Sequence, residues 1–353
     1  MSIYALRNRN RIGVVEDSAG IFGDVDYLNL GASLYTFSSF TFTSPIKGYA
    51  GPTLTEVLAG YNTSTYSWLT NITYFNMTTQ GIQRWTAPVS GTYRFTLKGA
   101  AGGQLDASTY NPRWPGDGAT IITDIVLTKN SIYNIIVGQT PNNAANTYNG
   151  SPGGGATWVV DDSGVLLACA GGGGGWGHGS STTTGGIGLG GSATNYPTSV
   201  AAGATVVAAA DGVSYTTNGT GQSNGLALGG GLSTTGTSGG AGGGTGWNGP
   251  GSSDTGSNPA GGGTRYTGGT SGRGVSMYGG FGGGGGSNGT GCAGGGGGGY
   301  SGGAAGNNWS GATWGSAGGG GSYWTGTLVS ATAGANGIAT ANVANGYVTV
   351  TRL

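Results

Sequence analysis

Gly279-Gly280-Phe281-Gly282-Gly283-Gly284-Gly285-Gly286, followed by Gly294–Gly299 and Tyr300, is the stretch on which the fold turns. Further runs flank it at Gly171–Gly175, Gly229–Gly231, Gly239–Gly244 (broken by Ala241), Gly261–Gly263 and Gly318–Gly321. Glycine loses more backbone entropy on ordering than any other residue, so an ordered structure must offset that loss through many contacts. Four physical solutions compete. Collagen needs a strict Gly-X-Y period rich in proline; the period is absent here, and 353 residues hold only 10 Pro against 85 Gly. A flexible linker would not carry nine Trp and eighteen Tyr. Silk-like sheets require an alternation that these runs lack. The fourth is a bundle of extended polyglycine II helices with three residues per turn. Such helices have no internal hydrogen bonds, so each N–H and C=O pairs with a neighbouring helix, and side-chain-free backbones approach closely enough to do it. The runs predict such a bundle over 171–321.

Outside this block the residues alternate as strands do. Tyr93, Phe95 and Leu97 share one face, and Thr92, Arg94, Thr96 and Lys98 the other. Tyr35-Thr36-Phe37, Phe40–Thr43, Thr120–Leu127, Ser131–Val137, Ala156–Val160 and Val165–Ala168 read as further strands. Turns are expected at Thr128-Lys129-Asn130 and at Asp161-Asp162-Ser163-Gly164. Thr53–Leu58, entered through Pro52, suits a short helix. Strand character returns at 337–353, ending Gly346-Tyr347-Val348-Thr349-Val350-Thr351. Strands, a glycine block and a final strand together predict an insertion within one all-β, jelly-roll-like sandwich. The expected divisions are 35–170 with 322–353 for the sandwich, 171–321 for the bundle, and 1–34 as a docking segment or a simple strand pair. Arg7, Arg9, Arg11, Glu16, Asp17, Asp24 and Asp26 concentrate charge in that first segment.

Charged residues make up 7% of the chain and cancel to a net charge of zero. After Lys129 there is no lysine, and between Gly171 and Thr351 the charges are Asp211, Asp254, Arg265 and Arg273. That distribution excludes nucleic acid as the expected partner, because phosphate neutralisation needs clustered cations. The start, MSIYALRNRNR, lacks a signal-type apolar core, and no stretch is apolar enough to span a membrane. Catalytic motifs fare poorly, and no enzyme activity and no cofactor are expected. Gly-x-Gly-x-x-Gly carries no information in this composition, and a phosphate loop would need a lysine. The single His178 has no carboxylate or cysteine beside it in sequence. Cys169, at an apolar strand end, reads as buried; with Cys292 it fits either a disulfide or two buried thiols. Asp161 and Asp162 are better explained as turn residues than as paired acids, and the Asn-x-Ser/Thr sites at Asn62, Asn71, Asn76 and Asn308 as chance.

Recognition is what remains. Trp176, Trp247, Trp309, Trp314 and Trp324 punctuate or follow the glycine runs, with Tyr266 and Tyr300 nearby. Their rings suit stacking on sugars or anchoring a protein partner, or else covering the flanks and ends of a bundle. Trp247, Arg265, Tyr266, Trp309 and Trp314 are the expected receptor-binding residues. They fall in or beside the loops 192–218, 247–260, 264–278 and 305–315, where a rigid scaffold would present a binding surface.

Two resemblances bear on these readings. Gly153-Gly154-Gly155-Ala156-Thr157-Trp158-Val159, then Leu166–Gly174, Gly279–Gly285, Cys292 and Gly294–Gly303, resemble the glycine-rich extracellular region of the anaplastic lymphoma kinase and leukocyte tyrosine kinase receptors. The likeness runs from about Thr92 to the C-terminus and implies a jelly roll with an inserted polyglycine-helix bundle. Signal peptide, transmembrane helix and kinase domain are missing, so it implies no receptor signalling. Phe40–Thr43, Gly51–Leu54, Tyr66–Leu69 and Phe75–Pro88 resemble glycine-rich virion proteins of tailed phages, especially marine cyanophages. That resemblance implies a virion-surface or tail-fibre component made in the host cytoplasm and released with the particle. Its expected partners are a host surface glycan or outer-membrane protein, and other virion proteins through residues 1–34. A purely structural decoration or fibre protein is the alternative. A trimer suits a fibre, although no heptad pattern supports one.

Overall fold

The computed structural model describes residues 3–8, 11–16, 32–103, 114–142, 150–177, 191, 205–206, 241–253, 260–270, 277–287, 293–306, 316–338 and 343–353. Two strands open the chain, β1 (Ile3–Asn8) and β2 (Arg11–Glu16), paired antiparallel with Ile3 opposite Glu16. A five-stranded antiparallel sheet follows the order β13 (Thr327–Thr332), β7 (Thr120–Leu127), β6 (Gly91–Lys98), β14 (Tyr347–Arg352), β3 (Ser39–Thr43). A seven-stranded antiparallel sheet faces it in the order β11 (Thr205–Val206), β12 (Tyr323–Trp324), β10 (Leu166–Ala170), β9 (Thr157–Asp161), β8 (Ile132–Ile136), β5 (Ile82–Thr86), β4 (Phe75–Asn76). The protein is all-β, with two packed sheets. Its last strand lies between β3 and β6, Val350 opposite both Phe40 and Phe95.

Alternation sets what each strand buries. Tyr93, Phe95 and Leu97 of β6, Ile121 and Ile125 of β7, Phe40 and Phe42 of β3, and Val348 and Val350 of β14 point inward. They meet Phe75, Trp85, Tyr133, Ile135, Val159 and Trp324 of the other sheet. Trp85 is fully buried, its ring centroid 5.4 Å from Phe37, 6.0 Å from Phe42, 5.9 Å from Tyr93 and 6.0 Å from Tyr133. Tyr35-Thr36-Phe37 is not a strand. Its alternation has another cause: Tyr35 stacks on Trp68 at 5.1 Å and bonds its hydroxyl to Thr86 O, while Phe37 packs on Trp85. The short helix α1 (Leu54–Gly60) begins at a capping box in which Glu56 N donates to Thr53 Oγ1 and Thr53 N to Glu56 Oε2.

The seven-stranded sheet is covered on its outer face as well. Ile136, Trp158, Val160, Leu166, Cys169 and Tyr323 pack there against Phe281 and Tyr300 from the glycine runs. A strand buried on both faces reads as a continuous apolar run, as Thr157-Trp158-Val159-Val160 does. Phe281 enters where backbones leave room for its ring: a methyl on Gly81 would lie 2.2 Å from its Cζ, and one on Gly51 2.7 Å.

Within the glycine runs, backbone partners recur every third residue. Gly295 N and Gly298 N donate to Ser151 O and Gly154 O. Gly296 N and Gly299 N donate to Gly242 O and Thr245 O, and Gly297 N and Tyr300 N to Gly318 O and Gly321 O. Each of these neighbours runs parallel to 295–300. Gly172 N and Gly175 N donate to Gly298 O and Gly295 O, so that pair runs antiparallel. Gly99–Gly102, Gly116–Ala119 and Gly153–Gly155 join the same lattice, through bonds such as Gly173 N to Ala100 O and Gly116 N to Gly174 O.

Candidate functional site

Three of the five residues expected to bind a partner come together. Thr264, Arg265, Tyr266 and Thr267 form a tight turn, closed by Thr267 N donating to Thr264 O at 3.0 Å and by a 3.0 Å contact between the two hydroxyls. The turn aims Arg265 back at Trp247. Its guanidinium carbon stands 4.1 Å from the Trp247 ring centroid and 5.1 Å from that of Tyr266. One guanidinium nitrogen donates to Trp247 O at 2.9 Å. The cation therefore packs against two rings at once, an arrangement that helps to order both. Trp247 is anchored in turn by its backbone N–H donating to Tyr300 O at 2.8 Å and by its ring against Trp158, 5.8 Å between centroids. Trp309 and Trp314 lie outside the described residues, as do His178, Cys292 and most of loop 192–218, of which 205–206 forms β11.

Tyr266 keeps 41% of its surface exposed and lines an open cleft of about 260 Å³ over the outer face of the seven-stranded sheet. The floor is Ile82, Ile136 and Val160, and the polar rim is Arg84, Asn134, Asp162, Thr78 and Thr79. Arg84 pairs with Asp162 at 2.8 Å, and Asn134 Nδ2 donates to Asp161 O at 3.2 Å. Asp161 itself is committed to its turn: its Oδ1 accepts from Ser163 Oγ at 2.7 Å and Val165 N at 2.8 Å. Turn formation thus accounts for Asp161, and an ion pair for Asp162. A second cleft of about 500 Å³ adjoins the first through these aspartates and is lined by Ile125, Val126, Ile132 and Leu167.

The remaining tryptophans of the described glycine zone pack inward. Trp176 is fully buried, and Trp324 belongs to the core between the sheets. Cys169 is a buried free thiol, and burial pushes its pKa well up, so it stays protonated and sealed from solvent. Among the described residues no group of three His, Cys, Asp or Glu side chains could hold a metal ion, and no helix is long and apolar enough to cross a membrane.

Arg84 and Asn134 are the site residues that the sequence reading missed. Ile82-Gln83-Arg84-Trp85 alternates, and taken as a strand it places Ile82 and Arg84 on the face opposite Trp85. Compared with known families and curated proteins, the sequence matches no family model and no curated protein.

Proposed function

We propose that this chain is a non-catalytic recognition protein of a phage virion surface, a tail-fibre component that binds the host envelope. On this reading its glycine runs form a bundle of polyglycine II helices inserted in a jelly-roll sandwich, and residues 1–34 join it to other virion proteins. The observation that carries the recognition role is the Trp247–Arg265–Tyr266 stack, an ordered aromatic surface held at the end of a rigid backbone lattice. The exposed Tyr266 ring, already held beside Arg265, loses little entropy on binding. The bundle is supported by the three-residue recurrence of hydrogen-bond partners along 172–175 and 295–300, the period of a threefold extended helix. Virion membership rests on the resemblance over Phe40–Pro88.

Adsorption of the purified full chain to marine cyanobacterial cells, with competition against phage infection, tests the role. Saturable adsorption that blocks infection is expected, with labelling of intact particles at fibre tips. No adsorption at about micromolar protein, where specific recognition is ordinarily saturated, together with labelling along the capsid shell, would assign the chain to structural decoration instead.

A further inference from the structure

The cleft beneath Tyr266 has the composition of a saccharide site, and its charge balance selects among saccharides. We infer that it binds a neutral pyranose of the host envelope; the inference rests on the recognition role proposed above and names its ligand. A pyranose presents an apolar C–H face on one side and hydroxyls around its rim. Tyr266 offers a part-exposed ring, held by Arg265, on which such a face can stack. Ile82, Ile136 and Val160 supply an apolar floor. Around it stand planar groups of a kind that can bond two adjacent hydroxyls at once, the Arg84 guanidinium and the Asp162 carboxylate, with the Asn134 amide beside them.

Charge decides between neutral and acidic sugars. Arg84 is already paired with Asp162 at 2.8 Å, in a bridge where Asp162 keeps 52% of its side chain exposed. Arg265 is committed to two rings and to Trp247 O. Asp161 adds a second carboxylate to the cleft. A uronic or sialic acid would bring a carboxylate next to two aspartates, and among the described residues around the cleft both arginines, Arg84 and Arg265, are already engaged. A neutral ring meets no such repulsion, and the Arg84–Asp162 pair can share hydroxyls without being broken. An outer-membrane polypeptide is disfavoured, because the cleft is small, about 260 Å³, and polar-rimmed.

The test uses the full chain against immobilised neutral saccharides (hexoses, deoxyhexoses, N-acetylhexosamines) and acidic ones (uronic and sialic acids). Binding of at least one neutral class is expected. Tyr266→Ala should weaken it by about tenfold or more, Tyr266→Phe should keep it, and Arg84→Ala should weaken it. Unchanged thermal melting of the Tyr266 variants would confirm that folding is intact. Binding unaffected by Tyr266→Ala, tighter binding of acidic sugars, or a blank panel overturns the assignment. Cell adsorption separates the two levels. A chain that adsorbs to cells yet binds no saccharide keeps its recognition role and loses this ligand. A chain that binds sugar through Tyr266 but adsorbs to no cell keeps the site and loses the virion role.

Discussion

A methyl group placed on Gly297 would stand 2.2 Å from the carbonyl oxygen of Gly172, and one on Gly172 2.4 Å from that of Gly154. Neither oxygen can retreat, because Gly172 O accepts from Gly320 N and Gly154 O from Gly298 N. Gly297→Ala is therefore overpacking against backbone, expected to cost about 1–3 kcal/mol or more and to lower the thermal midpoint measurably. Gly164 makes the contrast: its φ is +89°, but a Cβ there meets nothing within 4 Å. Gly164→Ala should cost only the left-handed strain of the turn, about 1 kcal/mol. If the two substitutions ranked the other way in thermal melts, close backbone packing would not be what the glycines provide. Arg265→Ala tests a different residue-level claim, that the cation orders its two rings. Stability should fall by no more than about 1 kcal/mol, while tryptophan emission shifts to the red as Trp247 gains solvent. The sequence marked Trp247, Arg265 and Tyr266 because aromatics and a rare charge stood out against glycine. It did not mark Arg84, whose role depends on which strand lies beside β8.

Among the elements, β8, β9 and β10 face two different layers. Ile135 and Val159 pack toward the other sheet, while Ile136, Trp158 and Val160 pack under Phe281 and Tyr300. Phe281→Ala removes the ring seated between Gly51 and Gly81 and should cost about 3–5 kcal/mol. The loss belongs to the seam between sheet and glycine lattice. Amide hydrogen exchange should therefore speed up along 279–286 and 295–300 and stay slow in β6, β7 and β14. Uniform acceleration across both regions would mean that they unfold as one unit. The elements most legible in sequence were those with local signals: α1 through Pro52 and Thr53, β6 and β7 through alternation, and the hairpin turn at Asn130, whose φ of 67° suits asparagine. Less legible was β13, an exposed edge whose Leu328 and Val329 show no inward–outward pattern. Alternation misled at Tyr35 and Phe37, because rings entering a core from an irregular segment leave the same trace as a strand.

At the scale of the whole molecule, the return of strand character near the C-terminus anticipated that β14 would sit in a sheet. No local signal could say that it lies between β3 and β6, nor which glycine run bonds which, since those choices are made by tertiary packing. Composition says more about how the molecule answers to pH. Twelve acidic residues in 353 leave little to titrate in acid. The Arg94 guanidinium beside Asp124 holds that carboxyl below its usual range. Its stabilising contribution is present above about pH 4 and lost as pH falls through the depressed value, and on a partly exposed pair it is small. The alkaline side is different, because tyrosines are built into the cores. Burial pushes Tyr61 up to about 12, Tyr35 further, and Tyr93, Tyr133, Tyr300 and Tyr323 upward. The folded state holds these phenols neutral, whereas an unfolded chain ionises them near pH 10. Their stabilising effect is complete below about pH 10 and declines as pH rises through their folded values. Thermal midpoints should accordingly stay nearly flat from mildly acidic pH to about pH 9, then fall steeply, with ionisation of the buried tyrosines appearing together with unfolding. Tyr61→Phe should lower the midpoint at neutral pH, since it removes a hydroxyl that donates to Gln83 Oε1 at 2.7 Å and accepts from Thr43 N at 2.8 Å. It should also make the alkaline limb shallower, because one fewer buried phenol resists ionisation. A midpoint that falls first in acid would show that carboxylate pairs outweigh the phenols, and ionisation of the buried tyrosines well before the sheets are lost would show that the aromatic cores are open to solvent.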